Sequence, residues 1–418
     1  MKTNFPLESK TKKILIFSIV YLPIEVGGAE LAIKEITDRI KREGVIFDMV
    51  TPLFDKNFPA CEKRGNINIY RVGFGIKSPK ISDLGKFPLA LNKFFFPLLS
   101  LFKAQQLNKK NNYDLCWAIM ANQAGIAAAF FKIFSKKKML LTLQEGDEER
   151  HLERYVLGSG FLYRIFIRPW HLLPIRKADY LTVISQGLKK RAIANGVKKD
   201  LIEVVPNGVD VQKFKIQNSK FKITIENSKV DIKEDDKIII TVSRLVGKNG
   251  IGDLIEAMNI LKTQNPELKA KLLILGNGPL EEKLKFQVSS FKLQDQVFFL
   301  GHKTHEDLPQ YFALADIFVR PSLSEGLGNS FLEAMASGVP IIGTRVGGIP
   351  DFLSDGETGL FCEVRNSQSI AEKIKLLSTD ENLRQKLIIN GRKLVEEKYN
   401  WDKLASKMLS IFAKAALA

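Results

Sequence analysis

Cysteine is scarce in this chain of 418 residues, and long uninterrupted apolar runs are absent from it. The three cysteines, Cys61, Cys116 and Cys362, are far apart in the sequence. This spacing argues against a disulfide framework or a cysteine-rich metal cluster and is typical of a protein from a reducing cytoplasm. No apolar stretch reaches the roughly 18 residues of a membrane-spanning helix. We therefore expect a cytoplasmic protein that is soluble or associated with a membrane surface.

Positive charge is concentrated in one half of the chain. The whole sequence carries 63 Lys and Arg against 46 Asp and Glu, a net charge of +17. Residues 1–205 hold 34 of these cations against 19 acidic residues, whereas residues 206–418 hold 29 against 27. Apolar residues make up 45% of the sequence, as in an ordinary soluble protein. The uneven charge predicts two parts of the molecule with different partners.

Short apolar runs alternate with amphipathic segments along most of the sequence. The runs are apolar on both faces, as expected of strands in a parallel sheet that is covered by helices. One intervening segment, ELAIKEITDRIKREG, places Ile33, Ile36 and Ile40 on one helical face and stops at Gly44. This alternation predicts an α/β fold with doubly wound sheets. The predicted strands are ILIFSIV, VIFDMV, INIYRV, DLCWAIM, MLLTL and YLTVIS in the first half, and KIIITV, KLLILG, VFFLG, DIFVR and VPIIG in the second.

The alternation is interrupted once, near residues 206–236. This stretch is polar, rich in Asn and poor in large apolar side chains, which is typical of a linker that includes an exposed loop. We therefore predict two Rossmann-like domains, one from residue 1 to 206 and one from residue 207 to 399.

The segment SEGLGNSFLEAM combines two carboxylates with a glycine-rich turn at the end of a predicted strand. We expect the strand to end near Arg320 and the next helix to begin near Asn329. Ligands of doubly wound sheets bind beyond the carboxyl ends of the strands, and a helix start attracts phosphate. With a loop before the helix, Glu325 and Glu333 would reach opposite ends of one extended ligand that carries hydroxyl groups.

A structural alternative explains part of the same segment. Ser330 and Glu333 fit the S-x-x-E capping box, which stabilises a helix start without any ligand. The capping box leaves Glu325, Gly326 and Gly328 unexplained. Both interpretations remain open on these residues alone.

The segment also resembles the signature of the retaining GT-B glycosyltransferases of family 4, the glycosyl transferases group 1 domain. That signature reads P-S-x-x-E-G-x-G-x-x-x-x-E-A-M-A-x-G-x-P-V-I, and the chain matches it in register from Pro321 to Pro340. The resemblance implies two Rossmann-like domains that face each other across a cleft, with residues 400–418 crossing back onto the first domain. Further segments that resemble the family are VYLPIEVGGAELAIKEI, VPNGVD, TVSRLVGKNGIGDLIEAM, LLILGNGPLEEKL and FFLGHKTHEDLPQYFALADIFVRPS.

The resemblance implies a role for individual residues at a nucleotide-sugar donor. Arg244 would pair with the donor diphosphate and Glu325 would contact the transferred sugar, so these two are the candidate catalytic residues. Glu333 would hold the ribose hydroxyls. The other donor-binding candidates are Gly27 and Gly28 of the first-domain loop, Lys248 and Asn249 after Arg244, Gly278, His302 and Lys303 of the base pocket, and Gly326, Leu327, Gly328, Asn329 and Ser330 of the turn.

One departure from the family pattern concerns the diphosphate. The lysine that accompanies the arginine in the family falls on Asn249 here, and Lys248 lies one place early. A hydrogen bond from Asn249 or the charge of Lys248 would then have to replace it.

A second departure lies in the first half. Gln144 stands where many members carry a histidine, and Glu145 and Asp147 follow it. These two acidic residues are candidates to orient an acceptor hydroxyl, and a solvated acidic loop is the alternative. Three histidines outside any motif are expected to be structural or on the surface: His151, His171 and His305.

Two segments of the basic half are rich in aromatic and aliphatic residues. KFPLALNKFFFPLLSLFKAQQLNKK and SGFLYRIFIRPWHLLPIRKAD are too short and too broken to span a membrane. They fit segments that lie on an anionic membrane surface, with inserted aromatics and cations near lipid headgroups. Ordinary core helices with solvated lysines are the alternative. A nucleic-acid partner is not expected, because no nucleic-acid-binding signature is present.

We therefore expect a retaining glycosyltransferase that moves a sugar from a nucleotide sugar to a saccharide or lipid-linked acceptor in the synthesis of envelope polysaccharide or glycolipid. The nucleotide sugar would be a substrate, and no other cofactor is expected. No essential metal is expected either, since the chain contains no Asp-x-Asp motif. The alternatives are a nucleotide-sugar epimerase of the same fold and a non-catalytic peripheral membrane protein.

Overall fold

The chain forms two compact α/β units. The computed structural model describes residues 12–24, 27–40, 44–144, 161, 165, 167–215, 232–233 and 235–417. The first unit comprises Met1–Pro206 and Trp401–Ala418, and the second comprises Asn207–Asn400. Each unit contains one sheet with helices packed on it, as the strand–helix alternation predicts.

The sheet of the first unit has eight strands in the order β3-β4-β2-β1-β5-β6-β7-β8. All neighbours are parallel except β3 and β4, which are antiparallel. From β1 the chain adds β2 and β4 on one side and then β5 to β8 on the other, so the direction of winding changes between β1 and β5, as in a doubly wound sheet. The strands are β1 (Lys12–Phe17), β2 (Val45–Pro52), β3 (Cys61–Arg64), β4 (Ile67–Val72), β5 (Leu115–Ile119), β6 (Lys138–Leu143), β7 (Tyr180–Val183) and β8 (Ile202–Val204).

The sheet of the second unit is entirely parallel, in the order β11-β10-β9-β12-β13-β14. The chain builds β9, β10 and β11 outward on one side and then returns to place β12 beside β9. The carboxyl ends of β9 and β12 therefore flank the topological switch point, where such sheets bind ligands. The strands are β9 (Lys237–Val242), β10 (Ala270–Leu275), β11 (Val297–Gly301), β12 (Ile317–Arg320), β13 (Ile341–Thr344) and β14 (Leu360–Cys362).

Helices connect the strands of both sheets. Those of the first unit are α1 (Gly28–Arg39), α2 (Leu89–Asn111), α3 (Gln123–Ser135), α4 (Arg168–Lys177) and α5 (Gln186–Ala194). Those of the second unit are α6 (Val211–Phe214), α7 (Ile251–Gln264), α8 (Glu281–Ser290), α9 (Leu308–Leu314), α10 (Asn329–Ala336), α11 (Ser367–Thr379) and α12 (Glu381–Lys398), and the chain ends in α13 (Trp401–Leu417).

Helix α13 packs against the first unit. It contributes Trp401, Met408 and Phe412 to the core that also contains Ile14 and Ile16 of β1. The opposite face of β1 is covered as well, since the Phe17 ring lies 5.8 Å from the ring of Phe131 in α3. Burial on both faces explains why β1 reads as a continuous apolar run. In the described part of the chain, no helix combines the length and the apolar character needed to cross a membrane.

Candidate functional site

Two loops meet at the switch point of the second sheet. One follows β9 and the other follows β12, and the Leu323 amide joins them by donating to the Lys248 carbonyl at 2.7 Å. Gly250, with φ of +68°, lies so close to the second loop that a Cβ would be 2.0 Å from the Pro321 carbonyl oxygen. Only a glycine permits this approach, so the two loops form one surface at the carboxyl edge of the sheet.

The second loop ends in a tight turn and a helix start. Strand β12 ends at Arg320 and α10 begins at Asn329, which confirms both predicted boundaries. Gly328 caps the helix in the left-handed region, with φ of +94°. The Gly326 amide donates to Oε1 of Glu325 at 3.0 Å, so the carboxylate folds back over its own turn. The first backbone N–H groups of α10 follow directly after this turn, and such groups attract anions.

The capping-box alternative is wrong. The residue at the helix start is Gly328, which offers no side chain, and Ser330 is already the second residue of α10. The Ser330 hydroxyl instead accepts a hydrogen bond from Nη1 of Arg320 at 3.1 Å. Glu333 contacts His305 rather than the start of its own helix. Both side chains are therefore directed to groups outside α10.

Arg320 connects three segments that the sequence assigns to the donor. Its Nη2 lies 2.5 Å from Oε2 of Glu325 and donates to Oδ1 of Asn249 at 3.2 Å. Asn249 is 2% exposed and donates in turn to the Arg244 carbonyl at 2.6 Å. The side-chain amide of Asn249 thus forms hydrogen bonds through both its oxygen and its nitrogen. A hydrogen bond from Asn249 to a phosphate stays a prediction. Arg244 itself is exposed beyond β9.

Glu333 lies in a second cluster, together with His305 and Lys213. It is 6% exposed, and its Oε1 is 3.2 Å from Nε2 of His305. The ammonium of Lys213 lies 3.1 Å from Nδ1 of the same ring and 2.8 Å from Glu306. A lysine ammonium only donates, so Nδ1 accepts and Nε2 carries the proton that is given to Glu333.

His305 was expected to be structural or on the surface, and the structure adds that it contacts Glu333, a candidate donor residue. Nothing in its local sequence marks it, because Lys213 and Glu333 are distant along the chain. The other two unassigned histidines differ from it. His171 places Nδ1 3.1 Å from the Ala121 carbonyl in the first unit, and His151 lies outside the described residues.

The remaining candidates of the second unit follow neighbouring strands. Gly278 comes after β10, where a Cβ would lie 2.5 Å from the Leu245 carbonyl oxygen, so it packs its loop onto the loop after β9. His302 and Lys303 come after β11, and Lys303 places its ammonium 5.2 Å from the centroid of the Tyr311 ring. Because parallel strands end at the same edge, these residues line the same edge as the two loops.

The first unit holds the other candidates. Gly27 and Gly28 lie at the beginning of α1, and a Cβ on Gly27 would meet no atom within 4 Å. In the first turn of α1, burial raises the pKa of Glu30 to about 7. Glu145 and Asp147 fall outside the described residues.

Metal-ligating side chains do not cluster in the described ranges, where no three or more His, Cys, Asp or Glu come together as a metal site would require. Metal independence stays a prediction.

Comparisons with known proteins match both units. A model of the glycosyl transferases group 1 matches residues 222–394, and one of Glycosyltransferase Family 4 matches residues 26–213. An uncharacterized glycosyltransferase of Methanocaldococcus jannaschii is 27% identical over 96% of this chain and 97% of its own length. Staphylococcus aureus CapM, a capsular polysaccharide biosynthesis glycosyltransferase, is 33% identical over 57% and 63%. The GDP-mannose-dependent alpha-(1-6)-phosphatidylinositol monomannoside mannosyltransferase of Mycobacterium tuberculosis is 27% identical over 57% and 65%.

The fold is similar to solved structures of the same architecture. HepE of Anabaena, in complex with UDP and glucose, superposes with a TM-score of 0.74 and 19% identity over 96% of this chain and 100% of that one. This likeness confirms the predicted GT-B fold.

Proposed function

The chain belongs to the family 4 glycosyltransferases, and from this premise we propose that it transfers a sugar, with retention of configuration, from a nucleotide sugar to a saccharide or lipid-linked acceptor. The proposal rests on one observation. At the switch point of the second sheet, the loop that carries Arg244, the turn that carries Glu325 and the start of the helix that carries Glu333 come together, and Arg320 and His305 hold the two carboxylates. A charged group, a glycine turn and a helix start suit a diphosphate, while carboxylates suit hydroxyl groups.

Each group has a distinct task in this proposal. Arg244 pairs with the diphosphate, with Lys248 beside it, and the backbone from Gly326 to Ser330 binds phosphate and sugar hydroxyls. Glu333, held by His305, accepts hydrogen bonds from the ribose. Glu325, held by Arg320, contacts the transferred sugar. The residues that are fixed before the donor arrives lose little side-chain freedom when it binds.

Chemistry would proceed on the face of the sugar from which the diphosphate leaves. The bond between the anomeric carbon and the phosphate oxygen breaks, the acceptor oxygen bonds to that carbon from the same face, and the acceptor proton passes to the leaving diphosphate. Cations placed where negative charge develops lower the barrier without a separate base. The reaction therefore needs its cations on the diphosphate more than a general base, and it is proposed to need no metal.

Relatives support the substrate class. CapM is a capsular polysaccharide biosynthesis glycosyltransferase, and the mycobacterial relative is a phosphatidylinositol monomannoside mannosyltransferase. We accordingly place this chain in polysaccharide or glycolipid synthesis. Candidate donors are UDP-, GDP- and ADP-sugars, and thermal stabilisation by one of these series identifies the base.

The test compares Glu325→Gln and Arg244→Ala with Glu357→Gln, which alters a surface glutamate paired with Lys386. Turnover of the donor that stabilises the wild type should fall by orders of magnitude in the first two variants and stay unchanged in the third. NMR of the product should show the donor's anomeric configuration, and chelators should have no effect. Near-normal turnover in Glu325→Gln or Arg244→Ala, with all three variants folded, contradicts the proposed site. Donor consumption that needs no acceptor would favour the epimerase.

We also propose that the first unit rests on an anionic membrane. Helix α2 packs on α3, and α3 packs on α4, so their outer faces adjoin. Large apolar side chains on these faces are exposed, including Phe94 at 69% and Phe102 at 68%. Further exposed apolar side chains of these helices are Phe95, Leu98, Ile133, Phe134 and Trp170, and Phe87 is exposed just before α2.

One face of α2 is buried and the opposite face carries exposed aromatic side chains, which supports this proposal. Phe96, Ala104 and Leu107 of α2 are buried, while Phe94, Phe95 and Phe102 are exposed. Exposed cations in or beside these helices are Lys86, Lys109, Lys110, Lys136, Arg176 and Lys177. Inserted aromatics surrounded by cations match an anionic bilayer, with about 1 kcal/mol from each cation near the surface.

Vesicle flotation tests this surface. The wild type should float with vesicles of phosphatidylcholine and phosphatidylglycerol and should not float with phosphatidylcholine alone. Phe94→Ser combined with Phe102→Ser should weaken flotation at least tenfold. Phe286→Ser is the matched control, since Phe286 is 74% exposed in the second unit. Flotation that is indifferent to lipid charge, or equal in all variants, would remove the membrane proposal and leave the transferase proposal intact.

A further inference from the structure

Arg320 is a charged residue of the donor site that the sequence motif does not identify. It ends β12, and its side chain is 12% exposed. Within hydrogen-bond distance it has Ser330, Glu325 and Asn249, each from a segment assigned to the donor. Ser330 belongs to the helix start that would receive phosphate, and Asn249 occupies the position at which the family carries its lysine.

We propose that Arg320 supplies the second positive charge on the donor diphosphate, beside Arg244, in place of the family lysine at position 249. The inference rests on the proposed function, because it names a residue of the same site. The second charge would then stand at the end of β12 and not on the loop after β9. Residues 320 and 249 lie side by side at the switch point.

The identity of residue 249 follows from this arrangement. Oδ1 of Asn249 accepts a hydrogen bond from the Arg320 guanidinium at 3.2 Å. A lysine at 249 would place an ammonium group against that guanidinium, and two like charges repel strongly where both are largely buried. Asparagine removes the repulsion and adds an acceptor. The arginine at position 320 and the asparagine at position 249 therefore depend on each other.

The contacts also fix the guanidinium before the donor arrives. An arginine carries five N–H donors in a rigid fork, and here Nη1 contacts Ser330 while Nη2 contacts Asn249 and Glu325. Glu325 is its counter-ion. A donor that offers hydroxyls to Glu325 and phosphate oxygens to Arg320 satisfies both partners at once. Arg320 thus links recognition of the sugar to stabilisation of the leaving diphosphate.

A purely structural role for Arg320 is the competing explanation. In that case it would only hold the turn at Glu325, and its charge would not act on the ligand. The two explanations differ in whether a charge restored at position 249 can substitute for the charge lost at position 320.

The experiment is a double-variant cycle of Arg320→Gln, Asn249→Lys and the combination of both. Calorimetry measures the dissociation constants of UDP, GDP and ADP and of the matching nucleosides, and steady-state kinetics measures kcat with the corresponding donor. Arg320→Gln should weaken diphosphate binding about tenfold to a hundredfold, as expected for the loss of a charge-assisted contact, and should leave nucleoside binding unchanged. The combined variant should recover to within a few-fold of the wild type. Arg384→Gln, at an arginine of α12 that is paired with Glu381, is the control and should leave diphosphate binding unchanged.

Each result decides between the explanations. Diphosphate binding in Arg320→Gln that equals the wild type, or a combined variant that binds no better than Arg320→Gln, overturns the inference. If Arg320→Gln does not fold, Arg320→Lys replaces it, since a lysine keeps the charge and loses the fork. Retained diphosphate affinity in Arg320→Lys then supports the inference, and its loss overturns it. A wild type that binds none of the three diphosphates contradicts the proposed function itself, which is a separate outcome.

Discussion

The imidazole of His305 lies 3.2 Å from the Glu333 carboxylate, and the ammonium of Lys213 determines which nitrogen faces it. The Lys213 ammonium donates a hydrogen bond to Nδ1, so the ring N–H is on Nε2 and faces Glu333. This N–H holds the carboxylate in one position. A carboxylate fixed in this way can accept two hydroxyl hydrogen bonds from a ribose without first reorienting.

His305→Ala should therefore raise the KM for the donor by about tenfold, the value of a lost positioning contact, and change kcat little. The measurement is steady-state kinetics with the donor identified by thermal stabilisation. His305→Asn, which can still donate to Glu333, should restore part of the affinity. His171→Ala is the matched control in the first unit. A KM that is unchanged in His305→Ala, or a fall in kcat alone, would show that His305 does not position Glu333.

The turn at Glu325 depends on a close backbone approach at Gly347. This glycine has φ of +55°, and a Cβ on it would lie 1.8 Å from the Glu325 carbonyl oxygen. Gly347→Ala should displace the turn and reduce donor binding at least tenfold. Gly356 has a similar φ of +69° but open space around it, so Gly356→Ala should cost only about 1–2 kcal/mol of backbone strain and leave donor binding intact. Equal effects of the two substitutions on donor affinity would mean that the contact with Glu325 is unimportant.

Most strands are predictable from the sequence because burial on both faces leaves a continuous apolar run. Strands β9 and β12 lie between helices and were both found this way. Three strands were missed: β3, β8 and β14. Each lies at an edge of its sheet, and pairing with a neighbour rather than a run of apolar residues defines it.

The site was predictable only where its residues belong to one motif. Glu325 and Glu333 lie eight positions apart, so their joint role is visible in the sequence. Arg320 and His305 act through partners that are up to 92 positions away, such as Lys213 for His305. No local pattern reports a contact of that kind. The substitution at Asn249 was the only sequence signal of Arg320, and it gained a meaning only when the structure placed the two together.

Helix α13 should contribute strongly to the stability of the first unit. The Phe412 ring is fully buried, with its centroid 5.0 Å from that of Trp117 and 5.9 Å from that of Phe47. Phe412→Ala should lower the free energy of unfolding by about 3–5 kcal/mol, the usual cost of removing a buried phenylalanine. Leu409→Ala is the control on the same helix, since Leu409 is 41% exposed, and should cost below about 1 kcal/mol. Urea unfolding followed by fluorescence measures both. Equal losses would place α13 outside the core.

Glu30 should make the stability of the first unit depend on pH. Burial in the first turn of α1 raises the pKa of this carboxyl from its ordinary value of 4.5 to about 7. Below pH 4.5 the group is protonated in both the folded and the unfolded state, and its contribution to stability is fully present. As pH rises from 4.5 to about 7, the unfolded state releases the proton first, so the folded state loses stability relative to it. Above about pH 7 both states are ionised and no further loss occurs.

Glu30→Gln removes this titration and should flatten the dependence between pH 5 and pH 8. Because a pKa shift of one unit corresponds to about 1.4 kcal/mol, the variant should be more stable than the wild type at pH 8 by on the order of 3 kcal/mol, with little difference near pH 5. Urea unfolding at both pH values measures the change, and Glu282→Gln, at a glutamate that is 88% exposed, should leave the wild-type dependence unaltered. A gain in Glu30→Gln that is equal at pH 5 and pH 8 would point to packing or propensity at the start of α1 and not to the buried carboxyl. A loss at pH 8 would mean that the ionised carboxylate stabilises the folded state, the opposite of what its burial implies.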